Sequence, residues 1–335
     1  MRLLPVHETV ARRILSPVSG FLKEAGFTHS LTPARNCTYG CSYCYVPTMR
    51  IQAGLKPDDW QHWGEYTTFK TNAAELLKKE LRPDHLIYCS PLTDPYQPAE
   101  MSQELMPKIL EQIYIHPPRA FIIQTRSANI LRDVHLLQAV AEHTDLRISF
   151  SLTTDDDRIR KIFEPRCDSI PDRLRTIEAL RDAGLNVYAT LAPILPCDPK
   201  LLARMAVDAT DNPIIGDPLH IRASKARGAT TREPAFKILD HYEQPQWAEA
   251  AFQQQLCKVL DHEIRALGRD FAIGPKGFSC LIQSSSPPAT ITNAQSAPPS
   301  PPLKSGVSSQ PRSAVQSSAK SPKRSVRTKT NSAGL

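Results

Sequence analysis

Beyond residue 72 the chain alternates between short runs rich in β-branched and aromatic residues and longer stretches whose apolar residues recur at helical spacing. Each switch predicts one β-α unit. Residues 72–81 (NAAELLKKEL, counting into Leu81) read as a helix leading to a strand at 85–90, and a helix over about 102–115, stopped by Pro117-Pro118, leads to a strand at 120–125. A helix around 130–142 carries Leu131, Val134, Leu137 and Val140 on one face and precedes a strand at 147–153. In the next unit Ser169 suits the N-cap and Pro171 the first turn, Leu174, Ile177 and Leu180 form the apolar stripe, and Gly184 ends the helix before a strand at 185–194. A shorter helix at 200–208 and a strand near 219–223 complete the series, and a last long helix is expected over about 246–267.

Five or six such units without a tight hairpin signal predict an α/β fold with a parallel sheet. A right-handed succession of them curls into a partial (β/α)6 TIM-type barrel. Its functional residues belong at the carboxyl ends of the strands, which selects the loop after Asn36, residues 90–97, Arg126 and Ser127, residues 151–156 and residues 193–196. The expected division is an N-terminal extension (1–27), the barrel core (28–223), a C-terminal helical extension (224–283) and a tail (284–335).

Charge changes the picture only at the end of the chain. Of 335 residues with a net charge of +7, the tail holds Lys304, Arg312, Lys320, Lys323, Arg324, Arg327 and Lys329 and no acidic residue, so the body is balanced. The tail is rich in Ser and Pro with few large apolar side chains, which predicts a disordered basic segment: a solubilising terminus or a weak, salt-sensitive nucleic-acid contact. No apolar run is long enough to span a bilayer, and Pro5, His7 and Glu8 interrupt the start before an apolar leader could form, so a cytoplasmic protein with no membrane partner is expected.

The eight cysteines suit that compartment. Cys37, Cys41 and Cys44 are packed into eight residues, whereas Cys89, Cys167, Cys197, Cys257 and Cys280 are scattered singly, a pattern that asks for a metal rather than a disulfide framework. The segment NCTYGCSYCY has the spacing C-x3-C-x2-C and no Asp, Glu or His within it. Three thiolates in one tight loop can ligate three irons of a 4Fe-4S cluster and leave the fourth iron open to a cofactor. Gly40 allows a sharp turn between the first two ligands, and Tyr43 is placed to cover the cluster or stack on an adenine. The rival is a structural zinc site, which needs a distant fourth ligand such as Cys89 or His29 and would make the chain a nucleic-acid-binding protein.

C-x3-C-x-Tyr-C followed by repeated β-α units resembles the radical S-adenosylmethionine superfamily. The segments TDPYQPAE (from Thr93), FEPRCDSIPDRL (from Phe163) and TLAPILP (from Thr190) resemble its subgroup related to spore photoproduct lyase. The resemblance implies a 4Fe-4S cluster on Cys37, Cys41 and Cys44, S-adenosylmethionine on the open iron, and an external one-electron reductant of flavodoxin or ferredoxin type. It implies a lyase-like DNA repair reaction, with radical chemistry on RNA, a peptide or a small metabolite as the alternative. Residue by residue, it places Ser90, Thr93 and Asp94 near the methionine amine, Arg126 at the carboxylate, Ser151 at the ribose and Ile194 along the adenine. Cys89 stands where the lyase has a hydrogen-donating cysteine, although the following CSPLTDPYQP departs from the lyase pattern and strand alternation would equally turn Cys89 into the core.

Overall fold

The computed structural model describes residues 4–221 and 230–283. The predicted tail at 284–335 lies outside the described residues. Among them are eleven strands: β1 (Val6–Thr9), β2 (Leu15–Pro17), β3 (His29–Leu31), β4 (Ala34–Arg35), β5 (Thr67–Lys70), β6 (Leu86–Cys89), β7 (Ala120–Thr125), β8 (Asp145–Ser151), β9 (Asn186–Leu191), β10 (Ile214–Gly216) and β11 (Phe271–Ile273). The main sheet has the order β11-β10-β9-β8-β7-β6-β3-β2, parallel throughout except for the antiparallel edge pair β2/β3. Strands in sequence order, joined through helices, give the partial TIM-type barrel that the β-α alternation predicts. A small second sheet, β1-β5-β4, flanks the cysteine loop.

The register sorts the side chains into two faces. Ile87 and Cys89 of β6 stand level with Phe121 and Ile123 of β7, and with Ile148 and Phe150 of β8 they face outward. That face packs under helices Ala73–Glu80, Leu105–Ile115, Val134–Ala141 and Ile170–Asp182 through Leu77, Ile109, Leu137 and Ile177. Full burial of each such side chain contributes about 1.5–3 kcal/mol. The inner face is graded. At the amino ends of the strands Tyr88, Ile122, Tyr188 and Ile215 close the barrel against Phe27, Phe278 and Leu281, and Arg147 donates to Tyr188 and to the Cys280 carbonyl there. One step toward the carboxyl ends, Gln124 Oε1 accepts from Tyr88 and Ser149, and the Ser149 and Thr190 hydroxyls share a 2.6 Å hydrogen bond.

Several elements depart from expectation. The helix predicted over 102–115 is two helices, Glu100–Gln103 and Leu105–Ile115, broken at Glu104, whose φ of 48° no helix continues. The helix predicted at 130–142 begins as a 3-10 turn, Ala128–Asp133. A further helix, Asp157–Phe163, is capped by Asp156, so two of the three consecutive acids in that stretch act locally: Asp156 accepts from the Arg158 N–H and Asp157 pairs with Arg160. The strand expected near 219–223 lies instead at Ile214–Gly216, and of that range residues 222–223 fall outside the described residues. Pro213 and Pro218 bracket the short run, and Gly216 is needed because any Cβ there would lie 2.5 Å from the Phe271 ring of the next strand. β2 and β11, from the stretches expected as extensions, both join the main sheet.

The connection after β6 is anchored by a buried carboxylate. Glu100 Oε1 accepts from the Met106 N–H at 2.7 Å and pairs with Arg132 at 3.1 Å, while its second oxygen has no partner. Burial pushes its carboxyl up to about 7 against the pull of the Met106 N–H and Arg132. In the unfolded chain a glutamate titrates near about 4.3. Between those values the folded form binds a proton that the unfolded form has released, so this group lowers stability as pH rises through the window. Glu100→Gln should remove that contribution. Urea midpoints of variant and wild type should diverge in the variant's favour from about pH 5 to about pH 7.

Candidate active site

The cysteine loop leaves β4 through Asn36, which adopts a left-handed φ of 60° and spends its side chain on the loop. Its Oδ1 accepts the N–H groups of Cys37 and Gly64, both at 2.8 Å, and its Nδ2 donates to the His62 carbonyl. Gly40 then turns the chain at φ +58° directly against Gly64, where an added Cβ would come within 2.7 Å of the Gly40 Cα. Arg166 donates to the Thr38 and Gly64 carbonyls across this contact. Turns closed by Gly40 N–H to Cys37 C=O and by Cys44 N–H to Cys41 C=O compact the loop that carries the three thiols.

The segment after β6 holds the other rim. Gln97 Oε1 accepts from both the backbone N–H and the hydroxyl of Thr38, at 2.9 and 3.0 Å. Asp94 accepts from the Tyr96 N–H, the Thr125 hydroxyl and the Arg126 N–H, tying this segment to the end of β7, and its own N–H faces the Cys37 sulfur. Ser90 and Thr93 are buried with their hydroxyls 3.3 Å apart. Burial raises the Asp94 carboxyl, with its three donors opposing.

Arg126 and Ser151 continue the inner face of β7 and β8 beyond Gln124 and Ser149, and the Ser151 hydroxyl accepts from Gln124 at 2.8 Å. Ile194 is buried and its N–H donates to the Asp217 carbonyl. Tyr43 is buried beneath the loop, its hydroxyl bonded to Glu164 and to Arg126, whose guanidinium stands 5.8 Å from the ring. These residues gather at the carboxyl end of the barrel with the three cysteines. Cys89 does not: it is fully buried on the outer face of β6, in the layer between sheet and helices. His29 lies at the start of β3, its ring against His85 at 4.0 Å.

Residues outside the predicted cofactor-binding set carry much of the electrostatics. Glu164, fully buried, pairs with Arg126 at 2.5 Å and with Arg173, and accepts from Tyr43 and from Thr153 at 3.0 Å. Burial disfavours its charge, but Arg173, Arg126 and the Tyr43 hydroxyl outweigh that and hold the carboxyl at about 2. Arg173 occupies the buried side of its helix with Ile170 and Ile177, one position before the expected stripe residue Leu174. A cation in register with a buried stripe was the signal available in the sequence. Cys167, which the sequence leaves isolated, lies with its sulfur 3.7 Å from that of Cys41.

The donor set fits an iron-sulfur cluster. Three soft thiols share one loop that has no hard ligand, and thiols that each take a different iron need not converge on a single point. Among the described residues no three His, Cys, Asp or Glu side chains converge as one metal ion requires. Burial raises the Cys37 thiol and, to about 12, that of Cys44, whereas the Cys167 thiol lowers Cys41 against burial, with help from Arg126. The half-buried Arg126 and the fully buried Arg173 also share the Glu164 carboxylate, and Arg126 stands 3.9 Å from the Cys41 sulfur. A cation so close to the loop suits an anionic group there.

A partial barrel with a three-cysteine loop at the carboxyl end of its strands defines a class, and the comparisons name it. The family model of the Radical SAM superfamily matches residues 31–198, and the chain belongs to that superfamily of enzymes. Membership implies an iron-sulfur cluster, S-adenosylmethionine and an external reductant. The chain is 27% identical over 230 residues to the uncharacterized protein Rv2578c of Mycobacterium tuberculosis, covering 65% of this chain and 66% of that one. It is 29% identical over 164 residues to the uncharacterized protein MJ0683 of Methanocaldococcus jannaschii, covering 48% of this chain and 58% of that one. The matches thus span about two thirds of these relatives or less. A solved structure of spore photoproduct lyase complexed with dinucleoside spore photoproduct shares the fold, with a TM-score of 0.53, 15% identity, and coverage of 80% of this chain and 81% of that one. A lyase variant with bound AdoMet and the same dinucleoside superposes with a TM-score of 0.51. Among the described residues no helix is long and apolar enough to cross a membrane.

Removing the Glu164 charge takes from the fully buried Arg173 its paired carboxylate and from Arg126 its nearest one. Glu164→Gln should cost about 3–5 kcal/mol of stability, read from urea unfolding of the cluster-free protein. A cost below about 1 kcal/mol would show that the network does not hold the site together.

Proposed function

We propose that this chain reductively cleaves S-adenosylmethionine at a 4Fe-4S cluster held by Cys37, Cys41 and Cys44, and that the resulting 5'-deoxyadenosyl radical abstracts a hydrogen atom from a substrate bound over the barrel mouth. The observation that carries this reading is a loop with three cysteines at the carboxyl ends of the strands, tied down by Asn36 and Gln97, with no fourth ligand in the loop. When bound, the cluster supplies the single electron that breaks the sulfonium bond.

The chain's own residues bind and orient. Ser90, Thr93 and Asp94 lie on the rim that is tied to Thr38 and to the Cys37 sulfur, which suits them to the methionine amine. Arg126 holds its guanidinium beside Cys41, which suits it to the carboxylate, with Glu164 and Tyr43 fixing its direction. Ser151 ends the polar ladder of the inner face, and its hydroxyl suits a ribose. Ile194 offers an apolar wall to the adenine. Cys89 is left out of this assignment, because its thiol faces the helices rather than the barrel interior.

The shared fold with spore photoproduct lyase makes a nucleic-acid lesion the first substrate to test, with electrons from a flavodoxin- or ferredoxin-type donor. Anaerobic reconstitution with iron and sulfide should give stoichiometric iron and acid-labile sulfide. Adding dithionite and S-adenosylmethionine should then release 5'-deoxyadenosine, read by mass spectrometry. Stoichiometric zinc without sulfide, or a loaded cluster that never yields the nucleoside, overturns the proposal. Alanine at Cys37, Cys41 or Cys44 should abolish both cluster and product, and Arg126→Met should weaken S-adenosylmethionine binding about ten-fold or more while the cluster remains.

A further inference from the structure

Cys167 has no part in the ligand set, yet it is the thiol nearest to it. Its sulfur lies 3.7 Å from Cys41 Sγ, and only 6% of the residue is exposed. The backbone around it is fixed, with its N–H donating to the Glu164 carbonyl at 3.0 Å and its carbonyl accepting from Arg160 at 3.2 Å. Arg126 Nη1 stands 3.9 Å from the same Cys41 sulfur. Cys41 is therefore the loop cysteine that meets both a second thiol and a guanidinium.

We propose that the Cys167 thiol donates a hydrogen bond to the Cys41 sulfur and so raises the reduction potential of the cluster bound there, which makes Cys167 a positioning residue. This rests on the cluster reading given above. As an iron ligand Cys41 is a thiolate and can only accept, so the proton of the S–H···S contact belongs to Cys167. A donor at a ligand sulfur stabilises the reduced cluster, the more negative of its two states, and thereby raises its potential. The Arg126 cation acts on the same sulfur in the same direction. Cys167 thus makes the cluster easier for a weak physiological donor to reduce, at the expense of driving force toward the sulfonium.

The test is an electron paramagnetic resonance titration of potential on reconstituted protein, with iron and sulfide measured on each sample. Cys167→Ala should load a full cluster whose midpoint is more negative than that of the wild type, and Cys167→Ser, which keeps a hydroxyl donor, should fall between them. A fully loaded Cys167→Ala protein with an unchanged midpoint overturns the inference. So does retention of the cluster in Cys41→Ala together with its loss in the Cys41→Ala/Cys167→Ala double variant, because Cys167 would then be a ligand. Failure of the wild type itself to bind iron and sulfide sinks the cluster reading first, and this inference with it.

Discussion

The rest of the site depends on one buried carboxylate. Glu164 follows the helix Asp157–Phe163, and its two oxygens collect Arg126 from the end of β7, Arg173 from the helix Ile170–Asp182, Thr153 after β8 and Tyr43 from the cysteine loop. Taking Glu164 and Arg173 out of water and half-burying Arg126 carries a large desolvation cost, which the pairing and the hydrogen bonds from Tyr43 and Thr153 offset. Four separate segments are thereby fixed relative to the loop. The Arg126 guanidinium held by this carboxylate stands 3.9 Å from the Cys41 sulfur.

The barrel supplies the second constraint. Because strand side chains alternate, the inner face runs in rows from the apolar plug at Tyr88 and Ile122, through the hydroxyl and amide layer of Gln124, Ser149 and Thr190, to Ser151 and Arg126 at the mouth. Polar groups increase toward the open end, and each buried hydroxyl along the way is satisfied by its neighbour. The same alternation sends Cys89 to the opposite face, among the side chains that hold the helices to the sheet.

Local order in the cysteine loop comes from groups with little mobility of their own. Asn36 substitutes for backbone partners that a strand would have provided, and the Gly40–Gly64 contact lets two chain segments approach closer than any side chain permits. The small sheet β1-β5-β4 and the Gln97 contact close the loop from two sides. These contacts hold the backbone of the loop in place.

Local rules written in the sequence were sufficient for the alternation of strand and helix, for the class of barrel and for the thiol trio, because periodicity and ligand spacing act over a few residues. They placed Ser90, Asp94, Arg126 and Ser151 at strand ends, where the structure finds them. They missed the break at Glu104 and displaced the strand at Ile214–Gly216, where proline positions and contact with Phe271 outweigh propensity. Pairings across long stretches of chain were beyond them: Arg126 as the partner of Glu164, Gln97 under Thr38, and Cys167 against Cys41 at a separation of 126 residues. Those contacts exist only once the sheet has brought the strand ends together, since the energy of a buried charge or thiol depends on what surrounds it in space and not on its neighbours along the chain.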